Sequence, residues 1–225
     1  MENRKTKKEI IYETLKNEIY NGDLKFNEKL VINSLAKRFN SSEIPVREAM
    51  SLLQSDELIE IKPHIGAIVK PLSEKDVRNI LELRIELEGL ATRLATERLT
   101  KEDLDFLRMV LDASIAAHER DEYDRFEELN IQFHNAIYKK SNNQLLTKTI
   151  NDLWKNTNRY PSIFERNLDH IRKSINEHEG IYEAIVEKDS AKAEYLMIQH
   201  KVRAGKEILS VTQSKFYENL QEEIK

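Results

Sequence analysis

Apolar residues recur at helical spacing along most of the chain. Ile11, Leu15 and Ile19 form a stripe four residues apart, and Asn21-Gly22 closes it at a residue that tolerates positive φ, which predicts a helix over residues 7–20. Val31, Leu35, Ala36 and Phe39 make a second stripe, ending at Asn40-Ser41-Ser42, and Val46, Ala49, Met50 and Leu53 make a third. Ser42 stands where an N-cap is needed, and Pro45 falls in the first turn of the third helix, where its fixed φ and missing N–H do little harm. Two short helices joined by so tight a turn form a helix-turn-helix. Two β-branched runs follow, Leu58-Ile59-Glu60-Ile61 and Ala67-Ile68-Val69, and the intervening Lys62-Pro63-His64-Ile65-Gly66 predicts a hairpin. In that order the elements make a winged helix, whose third helix enters the major groove of DNA while the hairpin touches the adjacent backbone or minor groove. The pattern alone equally allows a small helical cap on a larger domain.

Beyond Pro71 the periodicity is helical throughout. Ser73-Glu74-Lys75-Asp76 has the form of a capping box with aspartate as its acid, and six helices are expected near residues 74–98, 101–119, 122–140, 143–164, 168–187 and 190–212. Thr100, Asp121, Ser141-Asn142-Asn143, Pro161 and Lys188-Asp189-Ser190 mark the breaks. The expected fold is mainly α, with an N-terminal winged helix-turn-helix over residues 1–72 and an all-α helical bundle over residues 73–225.

Composition narrows the function classes. Five glycines and four prolines in 225 residues are too few for a β-rich fold with many tight turns. Cysteine is absent, so no disulfide supports the fold and a reducing compartment suits it. No run approaches the ~20 apolar residues of a membrane span, and Met1-Glu2-Asn3-Arg4-Lys5-Thr6-Lys7-Lys8 lacks the apolar centre of a signal peptide. A cytoplasmic location without a membrane partner is therefore expected. The net charge of -4 argues against coating nucleic acid by bulk charge. Residues 1–75 carry 13 Lys+Arg against 12 Asp+Glu, whereas residues 76–225 carry 23 against 28, so any DNA contact must be local to the first segment.

Ser42-Glu43-Ile44-Pro45-Val46-Arg47-Glu48-Ala49-Met50, with Leu53, Leu58-Ile59 and Gly66-Ala67-Ile68-Val69, resembles the winged helix of GntR-family bacterial transcription regulators. Gly22, Leu35-Ala36 and Leu72-Ser73 followed by Asp76 support the likeness. Through Leu83-Arg84-Ile85-Glu86-Leu87-Glu88 and its histidines, the second segment resembles the all-helical (FCD-like) ligand-binding domain of the FadR-type subgroup. The resemblance implies a homodimeric, metabolite-responsive regulator that binds a double-stranded DNA operator and is not an enzyme.

A recognition helix reads base edges and flanking phosphates from its N-terminal end, which here offers Ser42, Glu43, Ile44 and Arg47. Arg47 can grip phosphate or guanine with both guanidinium nitrogens, and the resemblance implies DNA contact at this position. The plainer reading is a surface pair with Glu43 one turn earlier. Relatives commonly carry a basic residue where Glu43 stands and threonine where Ile44 stands. Glu43 can accept from cytosine N4, and Ile44 can meet a thymine methyl. Asn33 occupies a position often held by arginine in relatives. Lys7, Lys8, Lys37 and Arg38 can neutralise phosphates, or belong simply to a solvated face. At the wing tip, His64 and Gly66 can approach the duplex, although the turn alone already favours glycine.

Asn130 and His134 lie at i and i+4 and project from one helix face. His178 and His200 stand 11 residues before and 11 after Asp189. In an antiparallel hairpin turning there, both imidazoles sit ~16 Å from the turn at ~1.5 Å per residue, and so come level. The resemblance places its metal ligands at Asn130, His134, His178 and His200. Three imidazoles and an oxygen donor suit a divalent transition metal such as zinc or nickel, with room for a small carboxylate effector. Relatives usually carry aspartate at Asn130, so the amide should weaken metal affinity. Arg84 can pair with the effector carboxylate, or simply with Glu88 one turn on. Two alternatives stay open: a metal-free organic-acid sensor using the same residues, and a metal-dependent helical enzyme. The second lacks support, because no Glu-x-x-His repeat, His-Glu-x-x-His motif or nucleophile set is present. His118 and His170 match no ligand position.

Overall fold

The computed structural model describes the backbone of residues 5–157 and 168–222 and the side chains of residues 5–155 and 169–210. The chain divides into two compact units between Ser73 and Glu74.

In the first unit, helix α1 spans Lys7–Asn21 and begins in a capping box, where Thr6 Oγ1 accepts from Glu9 N–H and the Glu9 carboxylate accepts from Thr6 N–H. It ends at Gly22, whose φ of +74° closes the helix in the left-handed region. Helix α2 spans Ile32–Arg38 and α3 spans Glu43–Ser55. Ser42 does occupy the N-cap of α3, but its hydroxyl makes no capping bond. Val31, expected on the buried stripe, is instead the exposed N-cap of α2. Strands β2, Ile59–Lys62, and β3, Gly66–Val69, form the expected hairpin. A third strand the pattern did not predict, β1 at Lys29–Leu30, pairs antiparallel with β3 to give the order β1-β3-β2. Ile11, Leu15, Ile19, Leu35, Val46, Ala49, Leu53, Leu58, Ile59 and Val69 fill the core beneath them.

The second unit is helical: α4 Glu74–Thr96, α5 Lys101–Glu119, α6 Tyr123–Lys139, α7 Gln144–Thr157, α8 Leu168–Val186 and α9 Ser190–Glu222. Thr100 and Asp103 cap α5 reciprocally. The expected break at Pro161, and the end of the helix before it, lie outside the described residues. The last helix runs further than the expected 212. Leu107, Leu111, Phe126, Phe133, Ile137, Ile171, Ile181, Ile185, Ala193 and Met197 form the centre of its core. At the α8–α9 turn, Lys188 has φ +58° and its ammonium donates to the carbonyls of Thr96 (2.9 Å) and Leu99 (2.7 Å), satisfying groups at the end of α4. This fixes the hairpin on which two of the histidines stand.

Helices α4 and α9 approach closely at Gly89, where a Cβ would lie 2.7 Å from Ile198 Cγ1 and 3.0 Å from its Cδ1. Gly89→Ala would gain about 1 kcal/mol of helix propensity. Crowding a packed interface costs about 1–3 kcal/mol, so we expect a lower thermal midpoint for the helical unit by circular dichroism. A raised midpoint would show that Ile198 moves aside freely.

Candidate functional site

In the first unit, Val46, Ala49, Met50 and Leu53 turn inward from α3, which leaves Ser42, Glu43, Ile44 and Arg47 exposed at its N-terminal end. Ile44 is 69% exposed. Arg47 Nη2 donates to Glu43 Oε2 at 2.9 Å, the surface pair foreseen from the spacing. Such a pair is worth about 0–1 kcal/mol and yields readily to a phosphate or base. Lys7 is exposed and caps the end of α2 by donating to Phe39 O at 3.0 Å, and Lys8 is half-buried. Arg38 is held by a two-point pair with Glu18, while Asn33 and Lys37 are exposed. At the wing tip, His64 at φ +64° is exposed and Gly66 takes φ +96°.

In the second unit, α6, α8 and α9 bring His134, His178 and His200 together. They are 0%, 1% and 3% exposed, and one ring nitrogen of each lies within 4.8 Å of the others. His178 Nε2 and His200 Nε2 are 3.4 Å apart, close to the ~3.3 Å edge of a tetrahedral ion with bonds of about 2.0–2.1 Å. Phe133 stacks on His178 with ring centroids 4.5 Å apart and walls that side. Asn130 is buried one turn before His134 on the same helix.

The surrounding hydrogen bonds assign the protons of two of the imidazoles. His200 Nδ1 lies 2.6 Å from Glu177 Oε2, so it carries the proton and leaves the Nε2 lone pair for a ligand. Glu177 is in turn fixed by Arg203 at 2.5 and 2.7 Å, the kind of carboxylate support that orients metal-bound histidines. Tyr138 donates its single proton to Glu88 Oε2 at 2.5 Å, so its oxygen accepts from His134 Nδ1 at 3.2 Å, and the His134 lone pair is again on Nε2. Burial holds all three imidazoles well below their usual range, with help from the Lys201 charge and from one another or nearby arginine. They are neutral near pH 7, the form that binds metal. Donor type, spacing and protonation thus fit a divalent transition metal.

Beside the triad lies a charge network that residue spacing did not reveal. Glu88 is fully buried and accepts from Arg84 Nε (2.7 Å), Trp154 Nε1 (2.8 Å), Tyr138 and Lys201 Nζ (2.9 Å). Burial alone would raise its carboxyl, but the Arg84 and Lys201 charges outweigh this and hold it at about 2. Burial lowers the Lys201 ammonium to about 8 despite Glu88. Both cations also lie over the Trp154 ring, Arg84 at 4.7 Å and Lys201 at 5.0 Å from its centroid. Arg84 therefore takes its foreseen partner, Glu88. His170 joins the edge of the site, its Nδ1 accepting from Arg203 at 2.7 Å, and burial lowers its pKa to about 4.

Two family models match this chain. Bacterial regulatory proteins, gntR family, covers residues 7–69, and the FCD domain covers residues 79–203. The chain belongs to the GntR family. It is 32% identical over 194 residues to the uncharacterized HTH-type transcriptional regulator YdhC of Bacillus subtilis, covering 84% of this chain and 85% of that one. It is 31% identical over 225 residues to the HTH-type transcriptional regulator LutR of the same organism, covering 90% of this chain and all of LutR. Among solved structures, E. coli McbR/YncC superposes with a TM-score of 0.65 over 96% of this chain and 99% of that one at 24% identity, a likeness of fold. This GntR protein is thus a DNA-binding transcription regulator with an all-helical FCD domain, and its relatives are transcription regulators. Among the described residues no helix is long and apolar enough to cross a membrane.

Proposed function

We propose that this regulator is a cytoplasmic homodimer and not an enzyme. Residues 1–72 bind a double-stranded DNA operator, and residues 73–225 dimerise and sense a small carboxylate through a divalent transition metal, zinc or nickel. The observation that carries the sensing half is the buried convergence of His134, His178 and His200 with lone pairs on the facing nitrogens of His134 and His200. His134, His178 and His200 hold the ion, with Asn130 as the oxygen donor. When bound, the ion supplies a Lewis-acidic site for an effector carboxylate. Arg84 adds positive charge beside it.

On the DNA side, Ser42, Glu43, Ile44 and Arg47 read the major groove. Lys7, Lys8 and Asn33 flank the backbone, and His64 and Gly66 of the wing approach it. The exposure of Ser42, Glu43, Ile44 and Arg47 at one helix end and of His64 at the wing tip supports this reading. Two-fold symmetry presents two such surfaces, so modest charge per domain suffices.

An operator selected from a random duplex pool allows a direct test. Binding is expected to weaken steeply with added salt, and Arg47→Ala to cost about 1–3 kcal/mol while leaving metal content unchanged. Unaltered operator affinity in Arg47→Ala, measured by fluorescence anisotropy, would remove Arg47 from the interface.

A further inference from the structure

Helix α9 turns Ala193, Met197, Lys201 and Gly205 inward at four-residue intervals, so a lysine stands in a stripe otherwise small or apolar. Lys201 is 6% exposed. Its ammonium donates to Glu88 Oε2 at 2.9 Å and lies 3.1 Å from His134 Nε2, the nitrogen whose lone pair the Tyr138 bond leaves available. An imidazole nitrogen has one in-plane lone pair. It can accept from the ammonium or bind a metal at about 2.0–2.1 Å, but a cation in each place would require two positive centres along one direction at impossible separation.

Building on the metal-binding reading of the triad, we propose that Lys201 is an internal competitor for the metal. In the metal-free protein its ammonium occupies the His134 lone pair and keeps the triad from closing. On metal entry it leaves His134 and stays tethered to Glu88, whose remaining partners Arg84, Trp154 and Tyr138 hold the carboxylate in place. Lys201 is thus a positioning residue that sets how readily the site fills. The displaced cation also remains beside the ion, where repulsion between them further lowers metal affinity.

The test is a titration of the full chain with Co²⁺ alone, followed by its visible ligand-field absorption, with Zn²⁺ competition to rank affinities. Lys201→Met removes the charge and the donor while keeping an unbranched chain, and is expected to bind Co²⁺ at least about tenfold more tightly than the unaltered protein. Lys201→Gln keeps a neutral donor and is expected to fall between them. If Lys201→Met does not fold, as judged by circular dichroism, Lys201→Gln alone decides the matter. Equal or weaker Co²⁺ binding in the folded Lys variants would overturn the competitor role and leave the triad reading intact, provided His178→Ala abolishes the absorption. No Co²⁺ binding in any form would overturn both.

Discussion

Glu88→Ala is expected to lower the stability of the helical unit by about 3–5 kcal/mol, while the winged helix keeps its structure. Alanine removes the buried carboxylate that meets both Arg84 and Lys201, each less than a tenth exposed, and so takes an anion from between two buried cations. Leaving buried charge uncompensated costs about 3–5 kcal/mol, against a total stability of about 5–15 kcal/mol for an ordinary domain. Tyr138 and Trp154 lose their acceptor at the same stroke. Urea unfolding followed by the single tryptophan, Trp154, isolates this unit, since no other tryptophan competes for the signal. Replacing Arg84, Glu88 and Lys201 together by methionine is expected to recover much of the loss, because a well-packed apolar set often matches a buried ion cluster. An Ala variant as stable as the unaltered chain would mean that water reaches Glu88 freely and that the network is not buried as described.

His178→Ala carries the largest expected effect on binding. Residues that merely support a metal-bound histidine change affinity by roughly 10–100-fold, and loss of a ligand should exceed that. His178 Nε2 sits 3.4 Å from His200 Nε2, so its removal leaves at most two of the three imidazoles to meet an ion. Metal content of the purified chain, by inductively coupled plasma mass spectrometry, is expected to fall from near one ion per chain to background, with unchanged binding of a selected operator in the absence of effector. Retained metal in the variant would place the ion elsewhere.

Much of this site was legible before any coordinates. His178 and His200 come level because the helical rise is fixed and the turn at Lys188-Asp189-Ser190 is marked by polar, turn-forming residues. Asn130 and His134 share a face by the same arithmetic. What the spacing could not supply was the packing of α6 against that hairpin, which alone brings His134 to the other two. Arg84–Glu88 was visible as an i,i+4 pair, but such pairs are usually solvated, and only burial turns this one into the anchor of a network. Lys201 left a signal that went unread: it falls four residues after Met197 and four before Gly205, in register with an inward stripe. Strand β1 left almost none, since two residues have no periodicity and Lys29–Leu30 is a strand only because β3 pairs with it. The Gly22 stop and the Thr100 break were readable because caps are local chemistry.

A regulator that senses through this site requires that occupancy of the buried histidines change how the winged helices grip DNA. Coupling of this kind is worth about 1–3 kcal/mol, roughly 5–150-fold in affinity. The direct measurement is operator affinity of the full chain, by fluorescence anisotropy at fixed salt, first after chelation and then with saturating Zn²⁺ or Ni²⁺ together with a panel of small carboxylates. At least one combination is expected to shift affinity fivefold or more, and the shift is expected to vanish in His178→Ala. Identical affinities across every combination, in a chain that demonstrably holds the metal, would contradict the claim.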